Sequence, residues 1–129
     1  MLRAKRVFIT DMEDLVLDKA ASSASRNLTP AEFDTITFLP FKWGDQVPFQ
    51  ITVNPPNVVI GSDLLYADPK ILPVLFHTLQ DIIQLNPLAG CFITFQRRTF
   101  SVDLILDAAQ KHKLSCTILI YEDIFGTFS

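Results

Sequence analysis

NVVIGS, residues 57–62, is the stretch that decides the fold. A nearly all-apolar run of this length is typical of a strand that is buried on both faces of a parallel sheet. Asp68 and Pro69 follow it, and an N-cap residue before a proline at the first helical position predicts a helix start. Apolar residues then recur at steps of three and four as far as Ile83, and Pro87 ends the pattern.

Before and after this predicted strand and helix, further strands and helices alternate along the chain. The further predicted elements are strands over residues 5–10, 35–41, 91–96 and 115–121, helices over residues 12–27 and 101–113, and a loop over residues 42–50. Pro40 suggests an edge position for its strand. This alternation predicts one α/β domain over residues 1–129, with a parallel sheet wrapped by helices on both faces.

Composition and charge exclude several classes of function. The 129 residues are 49% hydrophobic and carry a net charge of −3, which disfavours binding to nucleic acid or to anionic membranes. The longest apolar runs fall far short of the roughly 20 residues that span a bilayer. Cys91 and Cys116 lie in strand-like runs and are predicted to be buried, reduced thiols, which indicates the cytoplasm or the nucleus.

The motifs of several enzyme classes are missing. Four isolated glycines offer no glycine-rich loop for a phosphate or a dinucleotide. No serine has the GxSxG surroundings of a hydrolase nucleophile. His77 and His112 have no ligand partners at metal-binding spacing, so they are predicted to be structural or solvated, and no metal site is expected.

Polar and aromatic residues that follow the strands are the candidates for chemistry, because ligands of such sheets bind beyond the carboxyl ends of the strands. Asp11 can cap a helix or accept the hydroxyls of a ribose. Trp43 can fill the core or stack on a purine. Asp63 and Tyr66 can line one ligand site if the chain turns helically there, although Asp63 can equally be a turn former.

Four segments together resemble the S-adenosylmethionine-dependent lysine methyltransferases of the seven-β-strand class, in the branch that includes the valosin-containing-protein lysine methyltransferase. They are VFITDMEDL (7–15), LPFKWGD (39–45), VVIGSDLLYADPKILPVLFHTL (58–79) and FITFQRR (92–98). The resemblance runs from about Val7 to about Tyr121, and its most specific piece is the Asp-x-x-Tyr motif that joins Asp63 to Tyr66. It implies a Rossmann-like methyltransferase fold.

The resemblance also implies a role for each candidate residue. Asp11 is similar to the acid near the cofactor ribose, Trp43 to the tryptophan against its adenine, and Ser62 belongs to the same cofactor site. Asp63 and Tyr66 are similar to the catalytic pair that lines the target-lysine channel. The implied cofactor is S-adenosylmethionine, and the implied partner is a protein substrate, for example a chaperone, an ATPase or a translation factor.

The pattern departs from the family at both ends. In the family, a first strand and a glycine-rich loop precede the segment at Val7, and a last strand follows the segment at Phe125. We therefore expect the middle and carboxyl-terminal part of a methyltransferase domain, with weak or no S-adenosylmethionine binding by this chain alone. A catalytically silent interaction module is the alternative. Residues 7–10 and 58–61 are predicted to be inner strands that either pair directly or flank an open groove.

Overall fold

The structure, a computed structural model, describes residues 4–62, 69–95 and 101–119. It is an α/β structure in which the chain divides into two compact units, Met1–Pro56 and Asn57–Ser129. The elements are β1 (Val7–Asp11), α1 (Asp14–Asn27), α2 (Pro30–Phe33), β2 (Ile36–Pro40), α3 (Phe49–Val53), β3 (Val58–Ser62), α4 (Ile71–Leu85), β4 (Gly90–Thr94) and α5 (Val102–Lys111). No helix in these ranges is long and apolar enough to cross a bilayer.

The first unit is built on one parallel pair of strands. β1 pairs with β2 in a register that runs from Val7 opposite Ile36 to Asp11 opposite Pro40. Helix α1 connects the two strands and packs on both of them, with Leu17 as its buried residue. The predicted helix over residues 12–27 is therefore confirmed to within two residues. Asp11 therefore lies at the carboxyl end of the β1–β2 sheet.

A short helix that the sequence analysis did not predict, α2, starts with a capping box. The Glu32 backbone N–H donates to the Thr29 hydroxyl over 3.2 Å, and the Thr29 backbone N–H donates to the Glu32 carboxylate over 2.9 Å. The hydrogen bond from the Thr29 backbone N–H, and to a smaller extent the Thr29 hydroxyl, lowers the pKa of the Glu32 carboxyl. The carboxylate is thus held in its charged form at the start of the helix.

We expect the stability that the Glu32 charge contributes to be pH-dependent. Because the pKa of Glu32 is lower in the folded than in the unfolded chain, the contribution is present above the ordinary glutamate pKa. It is lost as the pH falls through the lowered folded value. Glu32→Gln keeps an acceptor but has no charge, so its melting temperature should lie below that of the wild type at pH 7 and should converge on it near pH 3. A constant difference between pH 7 and pH 3 would contradict this account.

The second unit repeats the parallel pairing with β3 and β4, in a register from Val58 opposite Gly90 to Ser62 opposite Thr94. Helices α4 and α5 contact each other. The Ser101 hydroxyl caps α5 by accepting the Leu104 N–H over 3.2 Å. The broad apolar stripe predicted for α4 is confirmed, because its buried residues are Leu72, Leu75, Phe76, Thr78, Leu79 and Ile82. This helix supplies most of the unit's core.

The prediction that residues 57–62 are buried on both faces is wrong. Val58 is 54% exposed and Ile60 is 79% exposed, whereas the alternate residues Val59 and Gly61 are half-buried and buried. Side chains alternate between the two faces of a strand, so only one face of β3 is covered. Within the described residues β1 pairs with β2 alone and β3 with β4 alone, so each of the two predicted inner strands has a single described neighbour.

Two further predictions at the level of secondary structure are wrong. Residues 115–119, within the predicted last strand 115–121, form no strand, and the structure does not describe the two residues after them. A strand needs a neighbour for its backbone hydrogen bonds, and no described strand pairs with this segment. The predicted loop over residues 42–50 gives way at Phe49 to α3, which buries Ile51. Among the strands that the structure describes, β2 pairs with β1 alone, so Pro40 lies on an edge strand, as predicted.

The two cysteines are free thiols, but the prediction that both are buried is wrong. Cys91 is half-buried in β4, and Cys116 is exposed in the segment without secondary structure. Burial, and to a smaller extent the charge of Cys116, raises the pKa of the Cys91 thiol. Cys91 therefore stays in the thiol form at neutral pH, and thiolate chemistry there is disfavoured.

Candidate functional site

Asp11 lies half-buried at the carboxyl end of β1, the position from which an acidic residue can reach a ligand beyond the sheet. Its Oδ1 atom accepts the Glu13 backbone N–H over 2.9 Å. The N-cap position of α1 is Glu13, so Asp11 forms a local turn before the helix rather than the cap itself. One carboxylate oxygen thus holds the turn, and no described residue donates a hydrogen bond to the other one.

Trp43 lies near the same end of the first unit. The Phe41 N–H donates to the Asp11 backbone carbonyl over 2.9 Å, which ties the chain just before Trp43 to the end of β1. A tight turn follows, in which the Asp45 N–H donates to the Lys42 carbonyl over 3.1 Å and Gly44 has a φ of 93°. That backbone conformation favours glycine at position 44.

The structure therefore brings Asp11 and Trp43 to one end of the β1–β2 sheet. Trp43 is half-buried, so its indole is neither a sealed core residue nor fully solvated. A carboxylate and an indole at one sheet end can bind a nucleoside, because the carboxylate accepts ribose hydroxyls and the indole stacks on the base. A surface cavity of about 380 Å³ lies further along this loop, against Gln46, Val47, Pro48, Phe49 and Thr52.

In the second unit, Ser62 is exposed at the carboxyl end of β3, and Thr94 is its register partner in β4. The Thr94 hydroxyl donates to the Ser62 Oγ atom over 3.2 Å. The sequence predicts that this strand extends to residue 96, so Thr94 lies inside the predicted strand and not among the residues that follow it. The signal that could have found Thr94 is its register with Ser62, which the sequence does not contain.

Asp63 and Tyr66, the predicted catalytic pair, lie outside the described residues. Their assignment therefore remains an interpretation of the Asp-x-x-Tyr motif. What the structure does show is the end of the strand that leads into the motif, at Ser62.

His77 is exposed and His112 is half-buried, which agrees with the structural or solvated roles that the sequence predicts, although Asp81 lies one helical turn from His77. The His77 Nε2 atom lies 3.4 Å from the Asp81 carboxylate, and the His112 Nδ1 atom lies 2.7 Å from the Ala108 carbonyl oxygen. The His112 ring also stacks on Phe76, with 6.3 Å between the ring centroids. In the part of the chain that the structure describes, no group of three or more His, Cys, Asp or Glu side chains could hold a metal ion.

Comparisons of the chain with known protein families, curated proteins and solved structures found no match.

Proposed function

We propose that the chain supplies the middle and carboxyl-terminal part of an S-adenosylmethionine-dependent protein-lysine methyltransferase domain that acts in the cytoplasm. The observation that carries the proposal is the position of Asp11 and Trp43 at the carboxyl end of a parallel β1–β2 sheet. These are the two residues that the resemblance assigns to the ribose and the adenine of the cofactor. The resemblance also expects Ser62 in the same cofactor site.

The pairing of the strands supports this proposal. Each of the two units contains a parallel strand pair whose strands are joined by a connection that contains a helix, which is the building block of doubly wound α/β folds.

The chemistry of the proposed site follows from the needs of methyl transfer. The reaction requires an in-line approach of a neutral lysine amine to the methyl group of a sulfonium. Asp63 and Tyr66 would orient the amine and help to remove its proton. Asp11 and Trp43 would hold the nucleoside end of the cofactor, and protein substrates such as a chaperone, an ATPase or a translation factor would present the lysine.

The test is an NMR titration of the ¹⁵N-labelled chain with S-adenosylhomocysteine. We expect weak binding, above about 10 μM in Kd, with shift changes at Asp11 and at the Trp43 indole. Asp11→Asn keeps the acceptor for the Glu13 N–H but removes the charge, so Kd should rise about tenfold or more, as expected for loss of a hydrogen bond to a charged group. Trp43→Ala should have a similar effect through lost stacking.

Asp45→Asn is the matched control, because Asp45 is exposed in the same loop as Trp43 and its charge is not part of the proposed site. It should bind like the wild type. Equal weakening by Asp45→Asn and Asp11→Asn would show a general charge effect. Shift changes that leave Asp11 and Trp43 unaffected would contradict the cofactor assignment.

The second candidate function, a catalytically silent interaction module, is favoured by a different observation. One face of the β3–β4 sheet exposes large apolar side chains, with Phe92 at 62% exposure beside Ile60. Exposed apolar surface of this kind is typical of sites that contact other molecules.

A further inference from the structure

We propose that the hydroxyls of Thr94 and Ser62 together bind an amino-acid unit, that is, an amine or amide N–H and the carbonyl or carboxylate oxygen next to it. This inference rests on the proposed function and adds Thr94 to its site as a positioning residue. The two hydroxyls come from neighbouring parallel strands, β4 and β3, and both lie at the carboxyl ends of these strands, where α/β sheets bind their ligands.

The hydrogen bond between the two hydroxyls determines what each one can still do. A hydroxyl has one hydrogen to donate and two lone pairs to accept with. Thr94 uses its hydrogen on Ser62 over 3.2 Å. Among the described residues, Ser62 therefore keeps its own hydrogen for a ligand, and Thr94 keeps its lone pairs. If the two hydroxyls exchange roles, the pair still presents one donor and one acceptor side by side.

An amino-acid unit has the complementary arrangement. In an extended peptide, the N–H and the carbonyl of one residue point to the same side, as they do in antiparallel sheets. The amino-acid end of the methyl donor carries a neighbouring ammonium and carboxylate. Both the extended peptide and the amino-acid end of the methyl donor can donate to the Thr94 hydroxyl and accept from the Ser62 hydroxyl. The pair is accessible, since both hydroxyl residues are exposed and so are Ile60 and Phe92 on the same face of the sheet.

The alternative role of the Thr94 hydroxyl is structural, as a cross-strand bond that stabilises the sheet. Three variants separate the two roles. Thr94→Val removes the hydroxyl but keeps the branched shape that a strand favours. Thr94→Ser keeps the hydroxyl. Thr37→Val is the matched control. It makes the same chemical change at the second residue of β2, away from the carboxyl end of that strand.

The experiment measures the Kd of two probes by NMR titration of the full chain, with melting temperatures recorded for every variant. The probes are S-adenosylhomocysteine and the peptide acetyl-Gly-Gly-Lys-Gly-Gly-amide. We expect Thr94→Val to weaken the binding of one probe about three- to tenfold, the range for one neutral hydrogen bond. Thr94→Ser should restore the affinity, and Thr37→Val should leave it unchanged. The probe that is affected identifies the source of the amino-acid unit.

Two other results would overturn the inference, and they differ in what they say about the proposed function. If the wild type binds a probe and Thr94→Val binds both probes as the wild type does, the bond to Ser62 is structural and only the inference fails. If the wild type binds neither probe, the inference fails, and if S-adenosylhomocysteine shifts only signals away from Asp11 and Trp43, the proposed function fails with it.

Discussion

In a version of the chain extended to include the first strand and the glycine-rich loop of the family, Asp63→Asn is expected to lower the turnover of methyl transfer to lysine-containing peptides by about 10² to 10⁴-fold at saturating S-adenosylmethionine, the range in which general acid and base groups contribute. The asparagine keeps the size of the side chain but removes the charge that would orient the incoming amine and help to remove its proton. The affinity for S-adenosylhomocysteine should change little, because the resemblance places Asp63 at the lysine and not at the cofactor.

Tyr66→Phe is the companion variant, and it should cost less because it removes one hydroxyl and no charge. Asp45→Asn serves as the control for a general loss of negative charge. The result that would withdraw the catalytic assignment is an Asp63→Asn variant with normal turnover and a lowered melting temperature. Asp63 would then be the turn former of the alternative interpretation.

Leu75→Ala is expected to lower the free energy of unfolding by about 2–5 kcal/mol, the usual cost of truncating a buried leucine. Leu75 is 1% exposed in the middle of α4, and its neighbours on the same helix face, Leu72 and Leu79, are buried as well. The alanine therefore leaves a cavity that the surrounding helix positions cannot fill without moving. Urea unfolding followed by circular dichroism measures the change.

Leu88→Ala is the matched control for this prediction, because the same atoms are removed from a leucine that is 94% exposed. Its effect should stay within about 0.5 kcal/mol, as for other surface substitutions. If the two variants unfold at the same urea concentration, α4 does not form the core of its unit. A changed slope of the unfolding transition for Leu75→Ala alone would point to an altered denatured state instead.

The helices illustrate how much of the fold the sequence predicts. The three-and-four spacing of apolar residues in α4 and the strand–helix alternation appear directly in the structure. The end of α1 at Asn27 was predicted in the same way. These signals are local, since periodicity, capping and proline geometry act over a few residues. The capping box of α2 was equally local, through Thr29 and Glu32, but it was overlooked.

Burial and strand pairing are what the sequence could not determine. NVVIGS indicates a strand, yet whether Val58 and Ile60 are covered depends on what lies against their face of β3. The run at residues 115–119 has strand-forming residues but no described strand pairs with it, and the pattern of residues alone cannot supply one.

The candidate site likewise depends in part on the sequence and in part on the tertiary structure. The sequence by itself determined that Asp11 follows a strand and that Trp43 lies beside a glycine in a loop. Only the tertiary structure decided that both lie at one end of the same sheet, and that Thr94 lies within hydrogen-bond distance of Ser62, 32 residues before it. The physical reason is range: secondary-structure preferences act between neighbours in the chain, whereas sites form between residues that only the pairing of strands brings together.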